Sequence, residues 1–219
     1  MAKSRGDRGV RYDALALVSG GPDSTTLLYH MVKKEGLKPL ALHFSTGLAP
    51  NQKELSQAKA LLKEIEVPMQ IFDISHFIAS AGGAMPTIHS EAHVLRFGTG
   101  VILTMACAYA IQHEIPSVWL ALHKEDADEA TEYSPKFIDY INSGVNLIGE
   151  SCEVKAPFHD WSKIDVLKHG MELNVPLQKT WSCVSPIKGV QCGACGACRA
   201  RREAFEAGAI KDMTRYSFK

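Results

Sequence analysis

The chain has 219 residues, 46% hydrophobic and 22% charged, with 24 basic side chains against 24 acidic ones. That composition predicts one folded domain burying roughly 70% of its unfolded surface, and the even charge balance excludes bulk electrostatic attraction to nucleic acid. No apolar run reaches the ~18 residues of a membrane span, and the start MAKSRGDRGVRYD lacks the hydrophobic segment of a secretory signal, so the expected location is cytoplasmic.

In chain order, the compact apolar run YDALALV (12–18) predicts a central strand. A helix is expected from Pro22 or Asp23 to about Lys34, closed by Gly36, and KPLALHF (38–44) reads as a second strand. Asn51 is a candidate cap for a helix running to Ile65, with Leu55, Ala58, Leu61, Leu62 and Ile65 on its apolar face. Pro68 ends it, and MQIFDI (69–74) is a third strand. Residues 75–97 lack periodicity and read as a long loop with short helical turns, the kind of segment that often works as a substrate lid. GVILTMACAYAIQHE (100–114) reads as a buried helix holding Cys107 as a small buried thiol, then SVWLAL (117–122) as a strand. Helices are expected over 133–147 and 161–173. Strands alternating with helices predict an α/β fold, a doubly wound parallel sheet covered on both faces. Residues 1–180 are expected to form this domain, and 181–219 a small segment packed on it.

SGGPDS (19–24) joins the first strand to the first helix. It is neither a Walker A loop nor a GxGxxG fingerprint. Gly20 and Gly21 allow a sharp turn with exposed N–H groups, the helix start adds aligned donors, and Ser19 and Ser24 can donate hydroxyls to phosphate oxygens. Asp23 is explained either by a magnesium ion or by a capping role. A plain strand–turn–helix junction is the bland alternative.

Cys183, Cys192, Cys195 and Cys198 follow the spacing C-x₈-C-x₂-C-x₂-C. Four thiolates can close a tetrahedron around zinc. The same run also suits an iron–sulfur centre, and reduced cysteines binding nothing complete the options.

SGGPDS resembles the SGGxDS loop of the ATP pyrophosphatases, enzymes that adenylate a carbonyl or carboxylate oxygen. Together with CGACGACRARREAFEAG near the end, the chain resembles the 7-cyano-7-deazaguanine synthase (QueC) family over nearly its whole length. The resemblance implies an adenine nucleotide alpha hydrolase-like fold, a homodimer, and an ATP-dependent C–N ligase that converts 7-carboxy-7-deazaguanine and ammonia to the nitrile, releasing AMP and pyrophosphate. It implies that Ser19, Gly20, Gly21, Asp23 and Ser24 hold the phosphates of ATP and assist Mg2+. Phe44 lies on the strand that meets adenine, and the four cysteines bind Zn2+. Lys163, in WSKIDVLKHG, is similar to the family's phosphate-facing lysine, with Asp23 and Ser24 as its catalytic companions; a solvated surface lysine is the alternative.

Three stretches depart from the family pattern. Phe97, Gly98, Thr99 and Gly100 stand where a P-G-R-N turn is usual, leaving Arg96 as the substitute cation. ATEYSPKF keeps Tyr133 and Pro135 of a G-Y-P-D-C-R-like stretch but not its Asp-Cys pair. LHFSTG replaces a D-Y-G-Q-like strand end. Arg96, His123 and Tyr133 are therefore the candidate acceptor-binding residues, with Lys124, Glu125, Asp126 and Asp128 either adding polar groups or forming a charged surface loop. These changes surround the acceptor and leave open a related enzyme adenylating a different carboxylate. A tRNA-thiolating enzyme would want a broader basic surface than the small patch of Arg199, Arg201, Arg202 and Lys211, so a nucleic-acid partner is not expected. A zinc-stabilised binding module leaves the intact loop unexplained. His89 and His93 are spaced as a helical metal pair but lack a third ligand, and either can instead meet substrate.

Overall fold

The computed structural model describes residues 11–82 and 97–218. Five strands, β1 (Ala14–Leu17), β2 (Pro39–Ser45), β3 (Met69–Asp73), β4 (Ser117–Trp119) and β5 (Glu153–Lys155), form one sheet in the order β3-β2-β1-β4-β5. Every pairing is parallel. The order reverses between β1 and β4, and the crevice at such a switch point is where ligands bind in open α/β sheets.

Alternation along β1 explains why helices cover both faces. Leu15 packs with Leu103, Cys107 and Ala110 of α4 (Gly98–Gln112) and with Ile138 and Val145 of α6 (Pro135–Leu147). Ala14, Ala16 and Val18 face the other way, onto Leu27, Leu28 and Met31 of α1 (Pro22–Lys33) and Ala58 and Leu62 of α2 (Ala49–Glu64). The remaining helices are α3 (Ser75–Ala81), α5 (Lys124–Glu129), α7 (Lys163–Glu172) and α8 (Gly196–Ala207).

Several expectations change. Asn51 does not cap α2: Leu48 holds that position, Pro50 allows the helix to start earlier, and Asn51 reaches back to accept from the Thr46 N–H at 2.9 Å. The 117–122 run is strand only to Trp119, and α6 starts at Pro135 after a 3₁₀ turn over Thr131–Tyr133. The polar run after β4, open to a site or to a surface-loop reading, is the short helix α5, and β5 is a strand that periodicity did not reveal. Arg201, placed above in a surface basic patch, is 2% exposed.

The seam between α1 and α7 is close-packed. A Cβ on Gly170 would lie 2.7 Å from Thr26 Oγ1, so only glycine permits this approach. Farther along, His30 Nδ1 meets His169 Nε2 at 3.0 Å, and the pair is flanked by Glu35 at 3.3 Å from His30 and Glu172 at 3.3 Å from His169. One hydrogen bridges the two rings, so one donates and the other accepts. Burial first, then His169, then partly offset by Glu35, lowers the His30 pKa below 6.5, with Lys34 also disfavouring the cation. A base whose folded pKa is lowered stabilises the fold above its unfolded value and loses that contribution as pH falls. Stability should therefore drop as pH falls below about 6.5. Thermal melts at pH 7.5 and 5 should show a smaller difference for His30→Gln than for the unchanged protein.

Candidate functional site

The SGGPDS loop leaves β1 and turns at Gly20, whose φ is +91°. A Cβ there would stand 2.5 Å from the Glu54 carbonyl oxygen, so the residue must be glycine for α2 to pack against the loop. Inside the loop, Ser19 Oγ accepts from the Gly21 N–H at 3.2 Å and Ser24 Oγ accepts from the Ser19 N–H at 3.2 Å. Gly21 is the N-cap of α1, and no side chain caps that end. The helix start is thus left open to an anion, which its aligned N–H groups favour. Of the two readings of Asp23, capping is the one this geometry does not support.

A polar platform supports the loop from below. His43 Nδ1 meets the Val18 carbonyl at 2.8 Å, and Asn51 Nδ2 lies 3.3 Å from His43 Nε2, from the Phe44 carbonyl and from Glu54 Oε2. Burial pushes the Glu54 carboxyl up to about 7, with the Asn51 hydrogen bond partly opposing it. Sequence reading missed this group; the buried His43 within an apolar strand was its signal. The Phe44 ring, half-buried, packs edge-on against Phe72 with centroids 5.6 Å apart.

Across the switch-point crevice, α5 and α7 bring further charges. Asp23 Oδ2 accepts from Lys163 Nζ, which also lies 3.5 Å from His123 Nε2. His123 Nδ1 is 3.0 Å from Glu125 Oε2, and Nε2 is 3.3 Å from Asp126 Oδ1. The tautomer with its proton on Nδ1 serves Glu125 and leaves Nε2 to accept from Lys163. Glu125 Oε2 in turn accepts from the Lys163 N–H at 3.0 Å, fixing the start of α7. Asp165 is engaged elsewhere, in a capping box with Ser162 that sets where α7 begins.

Two carboxylates in this cluster titrate in opposite directions. Burial pushes Asp23 up, but Lys163 and His123 outweigh it and hold its pKa below 3.8. Burial of Asp126, 1% exposed, pushes it up to about 6 despite His123, and the negative Asp23 adds to the rise. Asp23 Oδ1 and Asp126 Oδ1 are both buried without a hydrogen-bond partner among the described residues. Unpartnered buried carboxylate oxygens fit the hard-oxygen donor set that magnesium takes.

At the turn into α4, Phe97 takes the cap position in the left-handed region, φ 63°, with 53% of its surface exposed. Glu132 Oε1 accepts from the Phe97 N–H at 2.7 Å and Oε2 from the Thr99 N–H at 2.9 Å, so its carboxylate closes the helix start. Tyr133 is 9% exposed within the core, and burial pushes its hydroxyl up to about 12 although Thr99 hydrogen-bonds it. Arg96, His89 and His93 lie outside the described residues.

The sulfurs of Cys183, Cys192, Cys195 and Cys198 lie within 4.8 Å of one another. Cys192 and Cys198 sulfurs are 3.9 Å apart, against about 3.8 Å for the edge of a tetrahedron with ~2.3 Å metal–sulfur bonds. The N–H groups of Ala194 and Cys195 donate to Cys192 Sγ at 3.3 and 3.2 Å, and that of Cys192 to Cys183 Sγ at 3.2 Å, contacts that favour thiolate. These residues can hold a metal. Among the described residues, no helix is long and apolar enough to cross a membrane.

The chain is 33% identical to the 7-cyano-7-deazaguanine synthase of Caldicellulosiruptor bescii over 221 aligned residues, covering 94% of this chain and 98% of that protein. It is 30% identical to the same enzyme from Nitratiruptor sp., covering 93% and 98%. Among solved structures, the fold is similar to NMN synthetase from Francisella tularensis, with a TM-score of 0.54 and 18% identity over 91% of this chain and 78% of that one. It is also similar to the U34-tRNA thiolase NcsA from Methanococcus maripaludis with its 4Fe-4S cluster, at a TM-score of 0.54 and 14% identity over 89% of this chain and 63% of that longer one. The model of the queuosine biosynthesis protein QueC matches residues 13–209. The chain belongs to the QueC family, an enzyme of the ATP-dependent ligase class.

Proposed function

We propose that this enzyme uses ATP to activate the carboxylate of 7-carboxy-7-deazaguanine, joins the activated carbon to ammonia, and activates the resulting amide again to give 7-cyano-7-deazaguanine. The observation that carries this reading is the uncapped start of α1 behind SGGPDS, faced across the switch point by Lys163. ATP is a substrate here. A carboxylate oxygen displaces pyrophosphate from the α-phosphorus, ammonia then displaces AMP, and a second such activation of the amide oxygen lets it depart as AMP when the nitrile forms. Negative charge grows on the departing pyrophosphate, so fixed donors around it lower the barrier.

Each residue has a place in that scheme. Gly20, Gly21, Ser19 and Ser24 shape the loop and its donors around the phosphates, with Phe44 on the adenine side. Lys163, held by Asp23, supplies an ammonium where charge develops. Asp23 and Asp126 would hold magnesium, which when bound neutralises phosphate oxygens. His123, beside both, is assigned to the acceptor carboxylate, and Tyr133 to the wall of its pocket, with Arg96 as the remaining cation. The four cysteines would hold zinc in a closed site with no open position for chemistry. An Asp126→Asn or Lys163→Met enzyme should form product about 100-fold more slowly, or worse, with its circular dichroism spectrum unchanged, as read in single-turnover assays.

A second reading keeps the activation chemistry and changes the acid. The Glu132 carboxylate already occupies the start of α4 at the turn where the sequence departs from the family pattern. Mass spectrometry of products from 7-carboxy-7-deazaguanine, ammonium, ATP and magnesium separates the two. The nitrile with AMP and pyrophosphate is the expected result. Amide alone means that the second activation is absent. No product from folded enzyme that binds ATP moves the assignment to another carboxylic acid.

A further inference from the structure

The four-cysteine segment reaches the phosphate loop directly. The Trp181 N–H donates to the Gly20 carbonyl at 2.9 Å, and a Cβ on Gly21 would come within 3.5 Å of the Trp181 carbonyl. The Trp181 indole packs in the cluster with Cys183, Cys192 and Cys198, and its Nε1 donates to the Cys183 carbonyl at 2.8 Å. One residue therefore touches the thiolate cluster with its side chain and the turn of the loop with its backbone.

Arg201 makes a second connection, three residues after Cys198 on α8. Its guanidinium donates to the Thr180 hydroxyl at 2.8 Å, the Leu177 carbonyl at 2.7 Å and the Thr214 hydroxyl at 2.8 Å. Asp212 is 3.6 Å from its Nε, which has no hydrogen-bond partner among the described residues. A buried cation with such a loose countercharge leaves part of its field unneutralised, and that field reaches Asp23, whose ionised form it favours. Thr180, which it grips, immediately precedes Trp181.

We propose that the metal-loaded cysteine segment is the rear support of the phosphate site, with Trp181 and Arg201 as positioning residues, so that metal and pyrophosphate bind with positive coupling. The proposal rests on the phosphate-binding reading of SGGPDS given above. Without metal, the knuckle that presents the Trp181 N–H loosens, Gly20 loses its anchor, and the loop's donors no longer converge. Coupling of this kind is reciprocal: each ligand tightens the other by one and the same factor.

The test is calorimetric titration of inorganic pyrophosphate, in excess magnesium, into the full chain with and without zinc. Zinc-loaded protein should bind at least about tenfold more tightly than chelator-treated protein, within the usual range of such coupling. Arg201→Met, loaded with zinc, should weaken pyrophosphate binding by a similar factor, and Arg201→Lys should restore part of it by keeping the charge. Should the stripped protein or the Arg201 variant unfold, the reciprocal measurement decides on unchanged protein: at equilibrium, pyrophosphate with magnesium should raise the share of zinc that the protein retains against a chelating dye. Free pyrophosphate also competes with the dye for zinc, so the dye is calibrated with zinc in the same pyrophosphate and magnesium, and retention beyond that calibration has the protein as its source. Equal pyrophosphate affinity with and without metal, or no added zinc retention after that calibration, overturns the coupling. Failure of zinc-loaded protein to bind pyrophosphate at all overturns the phosphate-site reading and the coupling with it.

Discussion

The contact on which the rest of the site depends is the close approach of the Gly20 backbone to α2. With no side chain at Gly20, the Glu54 carbonyl reaches a distance that any Cβ would forbid. The loop then turns left-handed, leaves the start of α1 uncapped, and turns its own carbonyl to the Trp181 N–H. A larger residue would push α2 away and lose the His43–Asn51–Glu54 platform that holds the strand ends around the loop. Backbone packing thus fixes the shape of the loop and the open helix start, and side chains only furnish it.

Opposed electrostatics furnish the other half of the crevice. Asp23 and Asp126 lie in one cluster, yet Lys163 holds the first ionised while burial raises the second. Their unpartnered oxygens mark a place where the protein has spent stability on a polar arrangement that its own groups do not complete. Such incompleteness is expected where a substrate or ion supplies the missing partner. The short helix α5 is what makes the arrangement possible, because its first turn fixes His123, Glu125 and Asp126 together.

The turn into α4 follows a different logic. There the start of α4 is already closed by Glu132, and the exposed ring of Phe97 lies edge-on to Phe137, centroids 5.7 Å apart. The start of α1 is open, whereas the start of α4 is internally satisfied. The turn at Phe97 and the stretch around Tyr133 are two of the three places where the sequence departs from the expected family pattern, the third being LHFSTG at the end of β2.

By itself the sequence determined what short-range chemistry determines. SGGPDS requires neighbouring residues only, four cysteines at close spacing can meet through local turns, and alternating strand and helix runs specify a parallel sheet. The tertiary structure decided everything that joins distant segments. Lys163 meets Asp23 across 140 positions, a pairing no periodicity encodes. Asp126 was one of several polar groups at a strand end, open to a site or a surface-loop reading, until burial within α5 singled it out. Arg201 resembled its exposed neighbours because arginine normally seeks water; its burial follows from sharing a helix face with Cys198 and Phe205, a spacing that only the packed helix gives meaning. Asn51 had the chemistry of a cap, and lost that position because Pro50 let the helix begin before it. Local propensity named the parts, and packing chose their partners.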